Sequence, residues 1–374
     1  MSARDWLIEG APGAITSQDV FAGTCERLVA EGVPLKRAEA YVRTLHPQFA
    51  GRAFVWDETG VHAMETEYGF EELGSNAEPM ATVRSTRQPL RARLAPSGNA
   101  NKHFDEMAAL GMTDGIGLPM VFTSGEVHVC AFLTDHPDGF SDAHIATLQA
   151  VMAPLSRMAE ILALRRTATN LLTAYVGRDA GARVLAGKIR RGDTELIEAA
   201  IWFSDMRGFS TLSNQKAPHE VISMLNDLFD CQLPAIEKHG GEVLKFMGDG
   251  LLAIFTPTGR GEGGLRECCD RALAASRDAV AAMRVRGGLR FGIALHVGEV
   301  AYGNIGGEAR LDFTCIGRAV NLAARLESLT SKTSLDVLAS EDFVKQVGEG
   351  FDKVGDFEVK GFAIPVSAYR PLQI

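Results

Sequence analysis

Two aspartates stand where apolar runs give way to turns. Ala199-Ala200-Ile201-Trp202-Phe203-Ser204 leads into Asp205, and Met206-Arg207-Gly208-Phe209-Ser210 then turns the chain towards a helix. Lys245-Phe246-Met247-Gly248-Asp249-Gly250 lies between the apolar runs 242–246 and 251–255, so Gly248, Asp249 and Gly250 read as the tight turn of a β-hairpin with a carboxylate at its tip. A carboxylate on a rigid turn is a good ligand for a hard cation. Two of them at strand ends of one sheet can face each other. Phosphoryl and nucleotidyl transfer need this arrangement, with a metal pair activating the attacking oxygen and neutralising the leaving phosphates. Either aspartate alone is as well explained by a turn or a helix cap, and it is the pairing that points to metal.

The elements around these residues follow a βαββαβ rhythm, a ferredoxin-like α+β pattern. After the strand that ends at Asp205, a helix is expected over 218–239, with Val221, Met224, Leu225, Leu228 and Phe229 on one face. The hairpin follows, then a helix over 265–283, a strand pair over 289–305, a strand over 311–316, a helix over 319–329 and closing strands over 351–359 and 365–369.

In the first half, the apolar positions Val20, Cys25, Leu28 and Val29 suggest a helix over 17–45. Short strands are expected over 52–56, 61–67 and 90–94, a helix over 103–110, and two apolar strands over 116–122 and 127–133. From Ser141 onward, Ile145, Leu148, Met152, Leu155, Ala159 and Leu162 recur at spacings of three and four. That stripe needs a partner. It is either the first half's own sheet or, as favoured here, the same helix of a second copy. Arg165 and Arg166 interrupt the stripe, and 171–192 reads as a short helix-and-turn connector.

Three blocks resemble the signatures of class III nucleotidyl cyclases. They are Phe203-Ser204-Asp205-Met206-Arg207-Gly208-Phe209-Ser210, the 245–250 hairpin, and Phe313-Thr314-Cys315-Ile316-Gly317-Arg318-Ala319-Val320-Asn321-Leu322-Ala323-Ala324-Arg325-Leu326-Glu327. The resemblance starts at about residue 196 and runs to the C-terminus. It implies a cyclase domain over 196–374. Ahead of it, the stripe and connector over 141–195 read as a signalling helix and linker, and the helix–strand order over 1–140 is similar to that of GAF and PAS sensory domains.

The resemblance also implies roles. Asp205, Asp249 and the carbonyl of Met206 would hold two Mg²⁺ or Mn²⁺ ions per site, and Gly208, Phe209 and Ser210 would present N–H groups to the outer phosphates. Lys245 would donate to an adenine ring nitrogen, and Thr314 would accept from the adenine amine. Asn321 and Arg325, one helical turn apart, would orient the ribose and stabilise charge building on the α-phosphate, and Lys360 would pair with the outer phosphates. The implied activity is an adenylate cyclase that makes 3′,5′-cyclic AMP and pyrophosphate from ATP at a homodimer interface. Two aspartates would come from one protomer and the base, ribose and α-phosphate residues from the other. Alternatives are a guanylate cyclase and a catalytically silent dimeric sensor; a diguanylate cyclase is a third, because Gly240-Gly241-Glu242 resembles its acidic turn. Arg318 departs from the aspartate that this family often carries there.

Composition agrees with two soluble domains: 374 residues, 46% hydrophobic and 23% charged. A net charge of −9 argues against nucleic acid or an anionic membrane as partner, and no apolar run reaches membrane-spanning length, so a cytoplasmic protein is expected. The partners expected are ATP, a second copy, and an unidentified small molecule or signal at the N-terminal domain. Six scattered cysteines read as reduced buried thiols, and six histidines before the catalytic half show no ligand spacing.

Overall fold

The computed structural model describes residues 1–68, 78–95, 99, 101–258, 262–308 and 310–373. The chain divides into two compact units, Met1–Leu171 and Leu172–Ile374.

The first unit holds α1 (Ala3–Ile8), α2 (Ser17–Ala30), β1 (Arg37–Arg43), β2 (Phe49–Asp57), β3 (Gly60–Glu67), α3 (Glu78–Thr86), β4 (Leu90–Arg93), α4 (Lys102–Ala109), β5 (Asp114–Val121), β6 (Val127–Thr134) and the start of α5 (Asp142–Val176). Its strands form one antiparallel sheet in the order β3-β2-β1-β6-β5-β4. Alternation decides which side chains meet which helices. Ala38, Ala40, Val42, Leu118, Met120, Cys130 and Phe132 face a core built with Trp6, Phe21, Leu28, Leu148 and Leu155 of α1, α2 and α5. On the other face Ala131 and Leu133 pack with Met107 of α4 and Met80 of α3.

Two expectations for this unit fail. The helix predicted over 17–45 stops at Ala30, because Gly32 takes φ +89°, Pro34 follows, and Ala38, Ala40 and Val42 bury alternately as a strand. The heptad stripe is also not left for a second copy. Leu148, Met152 and Leu155 lie in the unit's own core, with Ile145, Ala159 and Leu162 packed against it. α5 continues through Arg165 and Arg166 to Val176.

The second unit continues with α6 (Arg178–Leu185), β7 (Thr194–Met206), α7 (Phe209–Gln215), α8 (Pro218–Lys238), β8 (Glu242–Met247), β9 (Gly250–Phe255), α9 (Glu262–Arg286), β10 (Phe291–Gly306), β11 (Leu311–Ile316), α10 (Arg318–Thr333), β12 (Val337–Ser340), α11 (Glu341–Val347), β13 (Phe351–Phe357) and β14 (Val366–Pro371). From β7 to β10 this is the expected βαββαβ order. The sheet runs β13-β14-β12-β10-β7-β9-β8, with β11 paired to β10. Among the described residues only β10 and β12 pair in parallel. Trp202, Phe255, Phe291 and Leu295 pack beneath α8 and α9 in the main core, and Ala294 packs with Leu326 and Leu329 of α10. The strand pair expected over 289–305 is a single strand, β10, whose first half pairs with β7 and whose second half pairs with both β7 and β11. Residues 337–347 carried no expectation and form β12 and α11.

Candidate active site

β7 ends at Met206, where Gly208 at φ +72° turns the chain into α7, and no side chain caps the first N–H groups of that helix. β8 and β9 are joined by the two residues Gly248 and Asp249, with Met247 paired to Gly250 and Gly248 at φ +70°. β9 lies beside β7 with Leu251 opposite Ser204, so the hairpin tip and the end of β7 are neighbours. The carboxyl of Asp205 is a close neighbour of that of Asp249, and its pKa is pushed up to about 6, first by burial and then by the Asp249 charge. A methyl on Gly250 would crowd Asp205 Oδ1 at 3.3 Å, so the glycine leaves room for the pair. Two carboxylates held together against their own repulsion match the donor chemistry of a divalent cation site. Among the described residues no cluster of three or more His, Cys, Asp and Glu is placed to hold a metal.

A second group forms on β8 and β11. Lys245 Nζ donates to Asp312 Oδ2 at 3.0 Å, with the two side chains 34% and 56% exposed. Thr314 shares the Asp312 face of β11 and is 3% exposed, and its Oγ1 is buried with no hydrogen-bond partner among the described residues. Leaving a hydroxyl so costs about 1–3 kcal/mol unless a ligand satisfies it. The sequence reading missed Asp312. The period-two rule would have found it, since it sits two residues before Thr314 on one strand.

Asn321 and Arg325 are exposed one turn apart on α10, and Lys360 is exposed in the turn after β13. Among the described residues, no hydrogen bond or ion pair joins these three to the aspartates or to Lys245. The chain therefore presents the site residues as separate groups. Arg318 places its guanidinium 5.3 Å from the Phe362 ring centroid, so the unusual residue has a packing role. Glu242, of the acidic-turn motif, accepts the N–H groups of Asp179 and Ala180 at 2.8 and 3.3 Å and caps α6 instead of lying by the aspartates.

Residues 194–369 match the family model described as the adenylate and guanylate cyclase catalytic domain. The second unit is a class III cyclase catalytic domain. An adenylate cyclase of Anabaena cylindrica is 32% identical over 169 residues, 42% of this chain and 32% of the relative. Adenylate cyclase 1 of Rhizobium meliloti (strain 1021) is 27% identical over 251 residues, 64% of this chain and 37% of the relative. A solved bacterial light-regulated adenylyl cyclase aligns with 72% of this chain and 91% of its own at 21% identity and TM-score 0.50, a likeness of fold alone. The chain spans about a third of the length of the curated relatives it matches. The cyclase family model covers both bases, and the first unit lies outside it. Among the described residues no helix is long and apolar enough to cross a membrane.

Proposed function

We propose that this protein is an adenylate cyclase, converting ATP to 3′,5′-cyclic AMP and pyrophosphate at sites shared by two copies of the chain. The observation that carries the reading is the pairing of Lys245 with Asp312 beside the orphaned Thr314 hydroxyl. A lysine donor suits the adenine ring nitrogen, and the buried hydroxyl accepts from the adenine amine.

Asp205, Asp249 and the Met206 carbonyl would hold two divalent cations, Mg²⁺ or Mn²⁺, which supply Lewis-acid polarisation of the ribose 3′-hydroxyl and the phosphates when bound. The chain's own groups do the rest. The backbone N–H groups at Gly208, Phe209 and Ser210 receive the outer phosphates, helped by Lys360, and Asn321 fixes the ribose. Arg325 spreads its guanidinium over the α-phosphate as charge builds there. No titratable side chain beyond the aspartates is needed to take the 3′ proton, which can leave through water or a phosphate oxygen.

Because no hydrogen bond or ion pair among the described residues joins Asn321, Arg325 and Lys360 to the aspartates, the reading has a two-fold partner supply them, giving two equivalent sites. A second base is partly accommodated: the Asp312 carboxylate can accept guanine's N–H groups while Lys245 donates to its carbonyl, so GTP should turn over slowly. The first unit, whose layered sheet suits a sensory module, regulates the catalytic half. Incubating the purified full chain with ATP or GTP and Mg²⁺ or Mn²⁺ tests the function. Cyclic AMP at a higher kcat/KM than cyclic GMP is the expected result, and no cyclic nucleotide under any of the four conditions contradicts it.

A further inference from the structure

Between Met206 and Gly208 stands an arginine whose side chain reaches the C-terminal end of α10. The Arg207 N–H donates to the Arg290 carbonyl at 2.9 Å, and its side chain is only 14% exposed. Nη2 donates to the carbonyls of Leu335 and, at 3.4 Å, Thr330, and lies 3.6 Å from Asp336 Oδ1. Its Nε is buried with no partner among the described residues. Thr330 lies in the last turn of α10, which ends at Ser334 in the left-handed region with φ +59°. The final carbonyls of a helix lack intrahelical partners and carry the negative end of its dipole, so a guanidinium is well placed there.

The same end of α10 is seated directly behind the metal strand. Gly292 is the cross-strand partner of Asp205. A methyl at Gly292 would collide with Thr330 Oγ1 and come within 3.2 Å of Glu327 Oε1. Thr330 and Glu327 are both buried, and they hydrogen-bond to each other at 3.4 Å. The first half of α10 carries Asn321 and Arg325. One side chain therefore joins the turn that presents Asp205 and the Met206 carbonyl to the helix that presents the ribose and α-phosphate residues.

We propose that Arg207 is a positioning residue, a brace that fixes the metal turn and α10 of the same chain against each other. This rests on the shared-site cyclase reading. In such a dimer the turn serves one site and the helix serves the other, so loss of the brace degrades both sites that its chain helps to build. Lysine is a poor replacement, because its flexible and strongly hydrated ammonium lacks the planar guanidinium that holds Nη2 rigidly between the two carbonyls and the carboxylate.

The test uses full-length Arg207→Gln and Arg207→Lys, with Asp336→Asn as a third variant that loosens the fork from outside the turn. Mn²⁺ binding to the nucleotide-free protein is followed by electron paramagnetic resonance, beside kcat and KM for ATP. Both Arg207 variants should weaken Mn²⁺ binding about fivefold or more and lower kcat about tenfold at saturating Mn²⁺, with KM for ATP within about twofold, and Asp336→Asn should do the same more weakly. Unchanged Mn²⁺ affinity with a lowered melting temperature would mean a merely structural residue and overturn the proposal. Mixing supplies the second reading. Arg207→Gln combined with Arg325→Ala should recover clearly less activity than Asp205→Ala combined with Arg325→Ala, because the only site with both functional groups intact still relies on an unbraced helix. Equal recovery overturns the link to α10. If Arg207→Gln does not fold, the Arg207→Lys results decide both points. Absence of cyclic AMP from the unsubstituted protein would instead sink the cyclase reading on which the brace depends.

Discussion

Lys245 cannot choose a base alone, because adenine's ring nitrogen and guanine's carbonyl both accept from it. The selection comes from its neighbours, the Thr314 hydroxyl and the Asp312 carboxylate 3.0 Å from the ammonium. Lys245→Glu with Thr314→Cys should move the GTP to ATP ratio of kcat/KM at least about tenfold towards GTP. A new glutamate would face Asp312, so total activity should fall, and adding Asp312→Asn should restore part of the GTP turnover; a ratio unmoved in all three proteins would show that these residues do not read the base. His296 gives a prediction about stability. It is 4% exposed, its Nδ1 is 2.7 Å from Ser340 Oγ, and burial lowers its pKa from 6.5 to about 4. The unfolded chain therefore takes up this proton first as the solution is acidified. The contribution of His296 to stability is full above pH 6.5 and is lost as pH falls towards 4, by up to about 3 kcal/mol. Urea unfolding at pH 7 and pH 4.5 should show a smaller difference for His296→Gln than for the unsubstituted chain, and an identical difference would remove the assignment. At this scale the sequence was most legible where a side chain ends an apolar run, as at Asp205 and Asp249. It was least legible for Arg207 and Asp312, whose partners lie over a hundred residues and 67 residues away.

Among the elements, α5 departs furthest from what periodicity suggested. Its first apolar row is consumed by the sheet of its own unit. A second row, offset from the first, is Ile161, Leu164, Ala168, Leu171 and Tyr175, again at spacings of three and four. Ile161, Leu164 and Tyr175 are 58%, 63% and 83% exposed. If two copies must meet to complete the sites, this row is the seam a parallel pairing of α5 would use. Leu164→Glu with Ala168→Glu should weaken dimerisation of the full chain about tenfold or more in sedimentation equilibrium, whereas an unchanged dimerisation constant would place the contact elsewhere. Pattern counting could not separate the two rows, because a 3.6-residue helix offers both faces and only the fold shows which one the sheet covers. The strand β10 was misread for a related reason: 16 residues of mostly buried strand give no break for a pattern to find. The hairpin of β8 and β9 was legible because its glycines punctuate it.

At the scale of the whole molecule, the catalytic half was readable from three blocks in order, and its βαββαβ core stands in the structure as expected. The first half carried no such motif, and its sheet was only partly read. Its proposed role can be tested directly. Deleting residues 1–140 should change kcat or the dimerisation constant at least about threefold, and a truncated protein equal to full length in both would leave the first unit without a regulatory role. The central claim is that each active site is built from two chains. Asp205→Ala alone should be nearly inactive through loss of metal binding, and Arg325→Ala alone through loss of about 3 kcal/mol of transition-state stabilisation. The decisive measurement is cyclic AMP production as these two inactive proteins are mixed at constant total concentration, with mixed dimers verified by pull-down on two different tags. One site of the mixed dimer then carries both defects and the other carries neither. Activity should rise to a maximum near equal amounts and reach a substantial fraction of that of one intact site. Mixed dimers that form and make no cyclic AMP at any ratio would contradict the account.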